Sequence, residues 1–414
     1  MRPSLLIIPA NETPGVLMPQ IPFNGTADFT VSRTTTPANN STRVNSSGLI
    51  EIVNDNVPRI DYLNQSCPGL LVEPSAQNLL LRSEEFTVSG TWTSVTGGTG
   101  VAPIVTQATG IVDPAGGNTA DLIQLNVGSG TLSTDFSILR QSITVTAVAH
   151  TFSVYLRSAT SGNQFVAIRF DSAPQTILTI TPSWQRFTFT GTPTAGSRDF
   201  GFDLRGNNTS ASGSTQFYAW GAQFEAGSNA TSYIPTTTTT GSRTADVISA
   251  SGVSGLIGQT EGTIYIEYNM RALNVEGYAI RLVAANFDNS VHIRRSTGNL
   301  VTLELRSANS NVFSQTFPAT GFVKAAIAYK SGDIAAFVNG TQTGSTITSA
   351  FTFGASFTSV NLGTFGTAAF LNDHIRAAAL YTTRLPNDDL IRLTLPSTYV
   401  TYNDMALGLA YTIK

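Results

Sequence analysis

Three histidines, one cysteine and a few neighbouring carboxylates are the residues from which this chain could build covalent or metal chemistry. His150, His292 and His374 lie far apart in sequence, and no Gly-x-Ser-x-Gly elbow accompanies them. Nucleophilic catalysis therefore has no recognisable local frame, although distance in sequence leaves a spatial triad open. Cys67, alone, can form neither an intrachain disulfide nor a thiolate zinc site. Gly97-Gly98-Thr99-Gly100 sits among strand-like segments and reads as a turn rather than a phosphate loop. Glycoside hydrolysis needs two carboxylates across a sugar, and the pairs on offer are Glu84-Glu85, Asp199 with Asp203, and Asp388-Asp389. Neighbours on an extended strand point to opposite faces, which separates Glu84 from Glu85. Asp199 and Asp203 could share a face, but Arg198 and Arg205 offer simple ion pairing. Carboxylates near Asp113, Asp121 or Asp288 could hold calcium, yet no dense ligand motif surrounds them and solvated loops are expected. No catalytic residue, cofactor or metal is expected.

Non-covalent sugar recognition asks less: an exposed aromatic face to stack on a pyranose, with amides and hydroxyls at its edges. Two residues qualify as glycan-binding candidates, Trp92 in the turn-rich SGTWTSVTGG and Tyr155 on the outward phase of its strand. Trp184 and Trp220 lie in strand motifs and are expected in the core.

The elements that must position these residues are strands. Hydrophobic residues make up 41% of the 414 and charged residues only 12%, with threonine, serine, asparagine and glycine filling the difference. That mixture suits extended structure with many turns. A net charge of −3 gives no basic face for nucleic acid. The only lysines among the 23 basic residues are Lys324, Lys330 and Lys414, so the positive charge is nearly all arginine. Arginine forks suit fixed contacts to carboxylates and carbonyls, though codon bias is an equal explanation. The apolar run Leu5 to Ile8 is too short for a signal h-region or membrane span.

Prolines at Pro3, Pro9, Pro14, Pro19, Pro22, Pro37 and Pro58 exclude long helices from the first 68 residues. The apolar patches Leu5 to Ile8, Val16 to Ile21 and Leu49 to Val53 favour an extended arm that folds against a partner; a free arm of this kind could be deleted and leave soluble domains behind. Beyond it, Thr151 to Arg157 alternates Phe152, Val154 and Leu156 with polar residues, the pattern of a strand with one buried face, and Gln164 to Phe170 and Trp184 to Thr190 repeat it. After Pro235 and its threonine run the alternation resumes in Gly262 to Tyr268, Val301 to Arg306 and Val323 to Tyr329. Asn339-Gly340 signals a type I′ hairpin, and Asn387 is placed to cap a helix whose first turn holds Asp388 and Asp389. The expected fold is all-β: two antiparallel β-sandwiches (jelly rolls) in series, residues 69–242 and 243–414, preceded by the extended N-terminal arm, residues 1–68.

Several stretches resemble known families. Gly69 to Phe86, GLLVEPSAQNLLLRSEEF, resembles the lead-in to carbohydrate-binding-module-like sandwiches in virion proteins of tailed bacteriophages. PSWQRFTFTGTPTAG and FYAWGAQFEAGSNATSYIPTTTTTGSRTAD resemble the late strands and exit of family 4/9-like carbohydrate-binding jelly rolls found in phage tail, fibre and head-spike proteins. VKAAIAYKSGDIAAFVNGTQTG and IRAAALYTTRLPNDDLIRLT resemble the concanavalin-like, laminin-G-type sandwich with its closing strand and short helix. The resemblance implies a virion structural protein, a head or tail fibre, spike or decoration. Its arm would attach to other virion proteins of the capsid, portal, neck or tail, and its sandwiches would face host-surface polysaccharide. It further implies a homo-oligomer, with a trimer as one form, and neither nucleic-acid binding nor membrane insertion. The final stretch, Tyr399 to Lys414, would reach a neighbouring chain. A purely architectural subunit and a polysaccharide depolymerase are the rival readings.

Overall fold

A computed structural model describes residues 3–8, 12–13, 16–17, 28–62, 68–87, 90–207, 213–271, 275–285 and 287–396. Cys67 and Tyr399 to Lys414 lie outside the described residues. The chain is all-β, with antiparallel sheets stacked into two sandwiches and, among the described residues, a single α-helix, Asn387–Thr394.

The jelly roll is built from two five-stranded sheets. One runs in the order Thr93–Gly97, Phe136–Val145, Gly196–Arg205, Gln164–Phe170, Ala173–Ile180; the other, Val101–Gln107, Asp121–Asn126, Ser214–Ala226, His150–Ser158, Gln185–Gly191. The alternation in Thr151 to Arg157 works as expected: Phe152, Val154 and Leu156 are fully buried between the sheets, beside Phe200, Phe202, Phe217 and Phe224.

In the second sandwich an eight-stranded sheet packs on a nine-stranded one. Its hairpin turns at Asn339 and Gly340, with φ of 49° and 78°, between the paired Val338 and Thr341, as the dipeptide predicts for type I′. Asn387 does not cap the helix. Pro386 holds the cap position, Asn387 is the first helical residue, and its side-chain Oδ1 accepts a hydrogen bond from the Arg384 guanidinium (2.7 Å).

The serial arrangement is where expectation and structure part. Strands from the first seventy residues are woven into the second sandwich. Leu5–Ile7 and Gly69–Val72 both pair with Asp373–Tyr381, Ile60–Asp61 pairs with Gly69–Val72, and Phe29–Ser32 pairs with Val247–Ser251. Leu5, Ile7, Phe29, Val31 and Ile60 belong to the same core as Ile264, Leu303 and Ile375. These apolar patches thus find their partner within the chain. The jelly roll leaves and re-enters this sandwich through adjacent strands, since Ala76–Asn78 pairs with Gly241–Arg243 and brings Asn78 opposite Gly241. It is therefore inserted between two parts of the other sandwich.

Five buried charges bind the crossing point. Arg59 reaches Glu73 (2.7 Å) and Asp246, Arg33 reaches Asp246 (2.8 Å), and Arg243 reaches Glu73 (3.0 Å), all with side chains at most 1% exposed. Burial works against the Glu73 carboxylate, but Arg243, Arg59 and two hydrogen bonds from Ser232 outweigh it and hold the group far below the usual range. The lysine-poor composition has its use here, because a guanidinium can spread several hydrogen bonds over fixed acceptors without losing its charge.

Candidate functional site

Tyr155 stands on His150–Ser158, whose inward residues fill the jelly-roll core and whose outward residues join a face shared by the neighbouring strands. The register arranges this face in three rows. The first places Ile104 beside Gln124 and Gln124 beside Gln216; the second runs Thr106, Leu122, Tyr218, Arg157; the third pairs Trp220 with Tyr155 and Tyr155 with Arg186. Each row steps two residues along every strand, so all these side chains leave the same side of the sheet.

The third row is covered. The hairpin formed by Ser41–Val44 and Ile50–Val53 brings Ile50 and Val44 onto Trp220, Tyr233 and Tyr155. Trp220 is 2% exposed and donates to Thr119 (2.9 Å), while Tyr233 packs at 4.7 Å from its ring. Tyr155 is half-buried, edge-on to Trp220 at 5.6 Å, with the Arg186 guanidinium 5.5 Å above its ring. Burial raises its phenol, Arg186 opposes that shift, and Asp61 adds to it. The ring lines a narrow cleft with Arg43, Asp61, Arg186, Arg271 and His374, between the two sandwiches. Tyr155 is thus outward, as the alternation predicts, but meets the other sandwich rather than open solvent.

The first two rows are open. Gln124 donates to Gln216 (3.2 Å), and Gln164 accepts from the Gln216 backbone (2.9 Å), which fixes a patch of amides along the sheet end. Beside them Val101 and Ile104 are 48% and 55% exposed, and a shallow groove runs over Gln124, Asn126, Gln164 and Gln216. Tyr218 is half-buried and stacks on no other ring among the described residues; Arg157, next to it, donates to the Pro182 carbonyl (3.0 Å). Gln124, Gln216 and Tyr218 were missed in the sequence, although Leu122-Ile123-Gln124-Leu125 and Gln216-Phe217-Tyr218-Ala219 alternate cleanly and name the outward residues.

Trp92 is not part of this face. It is 4% exposed, its ring lies 4.7 Å from Phe86 and 6.4 Å from Phe202, and its Nε1 donates to the Arg82 carbonyl (3.1 Å). With ring contacts in the core it offers no platform for a sugar, which corrects the expectation from its turn-rich surroundings. Trp184 is partly buried against the covered row and donates to Val112 (2.8 Å).

The chemistry-bearing residues are largely engaged with one another. Asp199 and Asp203 share Arg169 at 3.3 and 2.7 Å, with Arg140 on Asp199 and Arg205 on Asp203 (3.0 Å). Glu85 pairs with Arg82 and Glu84 accepts from Tyr233 and Thr119. Asp113 accepts backbone N–H groups of its own loop and Asp121 those of Phe86 and Thr87, and no cluster of potential metal ligands occurs among the described residues. Of the histidines, His292 meets both a hydroxyl and a carboxylate, Ser290 at 3.2 Å and Glu304 at 2.7 Å. Ser290 and His292 are fully buried, so no substrate carbonyl reaches that hydroxyl in this conformation.

No protein-family model matches the chain, and no curated protein does. Among solved structures it is similar to the CBM40 domain of the Ruminococcus gnavus IT-sialidase bound to alpha2,3 sialyllactose, with 20% identity and a TM-score of 0.30, over 34% of this chain and 84% of that one. It is also similar to domain 4 of AbnA, a GH43 extracellular arabinanase from Geobacillus stearothermophilus, in complex with arabinotriose, with 15% identity and a TM-score of 0.30, over 36% and 73%. A third likeness is to a botulinum neurotoxin type C structure, with 13% identity and a TM-score of 0.29, over 36% and 39%.

Proposed function

We propose that this chain is a display protein that binds carbohydrate through the open rows of the jelly-roll face, and that it belongs to a bacteriophage particle. The observation that carries the first part is the juxtaposition of Tyr218, the Gln124–Gln216 amide pair and exposed Ile104 on one rigid sheet. A ring and an aliphatic side chain suit the apolar face of a pyranose, and amides with both donor and acceptor suit its hydroxyls. Strands rather than loops hold these groups, so little ordering is left for binding to cost. The second part is supported by the resemblance of Gly69 to Phe86 and of Phe217 to Asp246 to virion sandwiches. In this reading the particle's capsid, portal, neck or tail proteins are partners, the chain is a homo-oligomer, and host polysaccharide is the ligand.

A glycan array with the full chain tests the binding reading. Retention of a defined glycan is expected, with Tyr218→Ala and Gln124→Ala each weakening it about tenfold, and with Tyr155→Ala weakening it less. If nothing is retained, or if both variants bind as the parent does, the carbohydrate reading falls. Peptide mass mapping of purified particles tests the virion reading, which fails if the chain is absent from them.

An architectural role is the second reading, and the covered third row favours it. There a lectin-like face already serves as packing surface for the hairpin at Ser41–Val44 and Ile50–Val53. The same array decides between the two.

A further inference from the structure

The second sandwich carries a different constellation, on the outer face of its nine-stranded sheet. The register sets Asn361, Arg281, His292, Glu304 and Ser314 side by side across five strands, while their neighbours Leu282, Ile293, Leu303 and Leu305 point into the core. Glu304 is fully engaged: His292 reaches it at 2.7 Å, Arg294 at 3.0 Å and Ser314 at 3.1 Å. Burial pushes its carboxyl up, but His292 and Arg294 outweigh that and hold it at about 2. Burial keeps His292 on the neutral side, so its Nε2–H donates to Glu304 and its Nδ1 accepts from Ser290.

Arg281 has no such partner. It is 6% exposed, and its guanidinium lies 4.2 Å from the Phe365 ring centroid and 4.9 Å from that of Phe287. Among the described residues no carboxylate and no hydrogen-bond acceptor meets it, and its Nε is buried without a partner. Arg306 stands 4.6 Å from the same Phe287 ring and is occupied by Asn309 and Asn311. The other buried arginines among the described residues, Arg33, Arg59, Arg169, Arg243 and Arg295, all have carboxylate or carbonyl partners. A desolvated cation walled by rings and lacking a counter-charge is costly, and its planar fork matches an oxyanion.

We propose that Arg281, between Phe287 and Phe365, is the centre of a binding site for a small oxyanion, a carboxylate or a sulfate. Ring contacts take water from the guanidinium while leaving its fork to donate, and the Arg306 charge on the far side of the Phe287 contact, held only by neutral amides, favours an anion further. The site is separate from the jelly-roll face and does not depend on it.

Calorimetric titration of the full chain at constant ionic strength with sodium glucuronate, sodium sulfate and, as a neutral control, glucose tests the assignment. Saturable uptake of one or both anions and none of glucose is expected, weakened at least about tenfold in Arg281→Gln and unchanged in Tyr218→Ala. Uptake of glucuronate alone assigns the site to carboxylates, and of sulfate alone to sulfates. Should Arg281→Gln fail to fold, crystals of the parent soaked in selenate must show anomalous density beside the guanidinium. No saturable uptake by the parent, equal uptake by folded Arg281→Gln, or selenate bound only elsewhere overturns the proposal.

Discussion

Tyr155 leaves its strand on the side opposite Phe152, Val154 and Leu156, and there it meets the hairpin of Ser41–Val44 and Ile50–Val53. Alternation shows that Tyr155 points away from Phe152, Val154 and Leu156, and it does. What lies over it, a hairpin more than a hundred residues earlier, leaves no trace in the local pattern. Trp92 fails for the converse reason. The small polar residues around it look exposed, but Phe86, a few residues before it, and Phe202, from a distant strand, close around the ring. The two tryptophan and tyrosine positions therefore predict opposite phenotypes. Trp92→Ala should cost about 3–5 kcal/mol of stability and leave glycan affinity of the folded fraction unchanged, as denaturant melts and array binding at low temperature would read. Tyr218→Ala should weaken binding and leave the melt nearly where it was. Equal stability of Trp92→Ala and parent would mean that the ring is not packed as described.

Among elements, Gly69–Val72 and the residues that follow form the crossing point between sandwiches. The sequence marks this stretch as a junction through its leucines and Glu73-Pro74, but the partners of Glu73 come from Arg59 and from Arg243, far along the chain, and no spacing rule connects them. Breaking one member leaves buried charge uncompensated, so Glu73→Gln is expected to cost about 3–5 kcal/mol, measured as a drop in denaturation midpoint with an unchanged slope; a loss below about 1 kcal/mol would show the network to be solvated. Gly69 has a steric reason to lack a side chain, since a Cβ there would stand 2.9 Å from the His374 Cβ. His374 itself bridges Asp61 (3.0 Å) and Asp373 (3.3 Å) across three strands. Burial lowers its basicity, but the hydrogen bonds to Asp373 and Asp61 outweigh burial and raise it above the ordinary histidine value. A raised folded value means that the stabilisation is complete below the unfolded pKa of about 6.5 and is lost as pH rises through the folded one. Thermal midpoints should therefore fall from pH 6 towards alkaline pH, and His374→Gln should flatten that slope. A parent midpoint that rises across the range would contradict the bridge.

For the whole molecule, the fold class follows from composition and period-two alternation, because both report directly on strands with one buried face. Topology does not follow, since strand pairing across some three hundred residues is invisible to any local pattern. The N-terminal segment shows this best: its prolines and short apolar patches read as an arm, yet Leu5–Ile7, Phe29–Ser32 and Ile60–Asp61 are strands of a distant sandwich, and the Leu49 to Val53 patch packs on the jelly roll through Ile50. The consequence reverses the outcome of truncation expected for an arm. Deleting residues 1–60 would remove Leu5, Leu6, Ile7, Phe29, Val31 and Ile60, each at most 6% exposed. At about 1.5–3 kcal/mol for each fully buried large side chain, their loss is comparable with the roughly 5–15 kcal/mol by which a domain is stable. It would also bare the backbone of Asp373–Tyr381 and Val247–Ser251, which invites edge-to-edge association. The inserted jelly roll is the part that should be removable. Its two ends pair at Asn78 and Gly241, so a short glycine-serine link replacing residues 79–240 can close the gap without moving either strand. The charge network keeps its arginines and carboxylates in that excision variant and loses only the Ser232 hydrogen bonds. The expected result is a soluble, cooperatively melting protein on excision and an insoluble or non-cooperative one on N-terminal deletion, read by gel filtration and circular dichroism. A soluble, cooperatively melting chain lacking residues 1–60 would mean that those strands lie on the sandwich without being part of it.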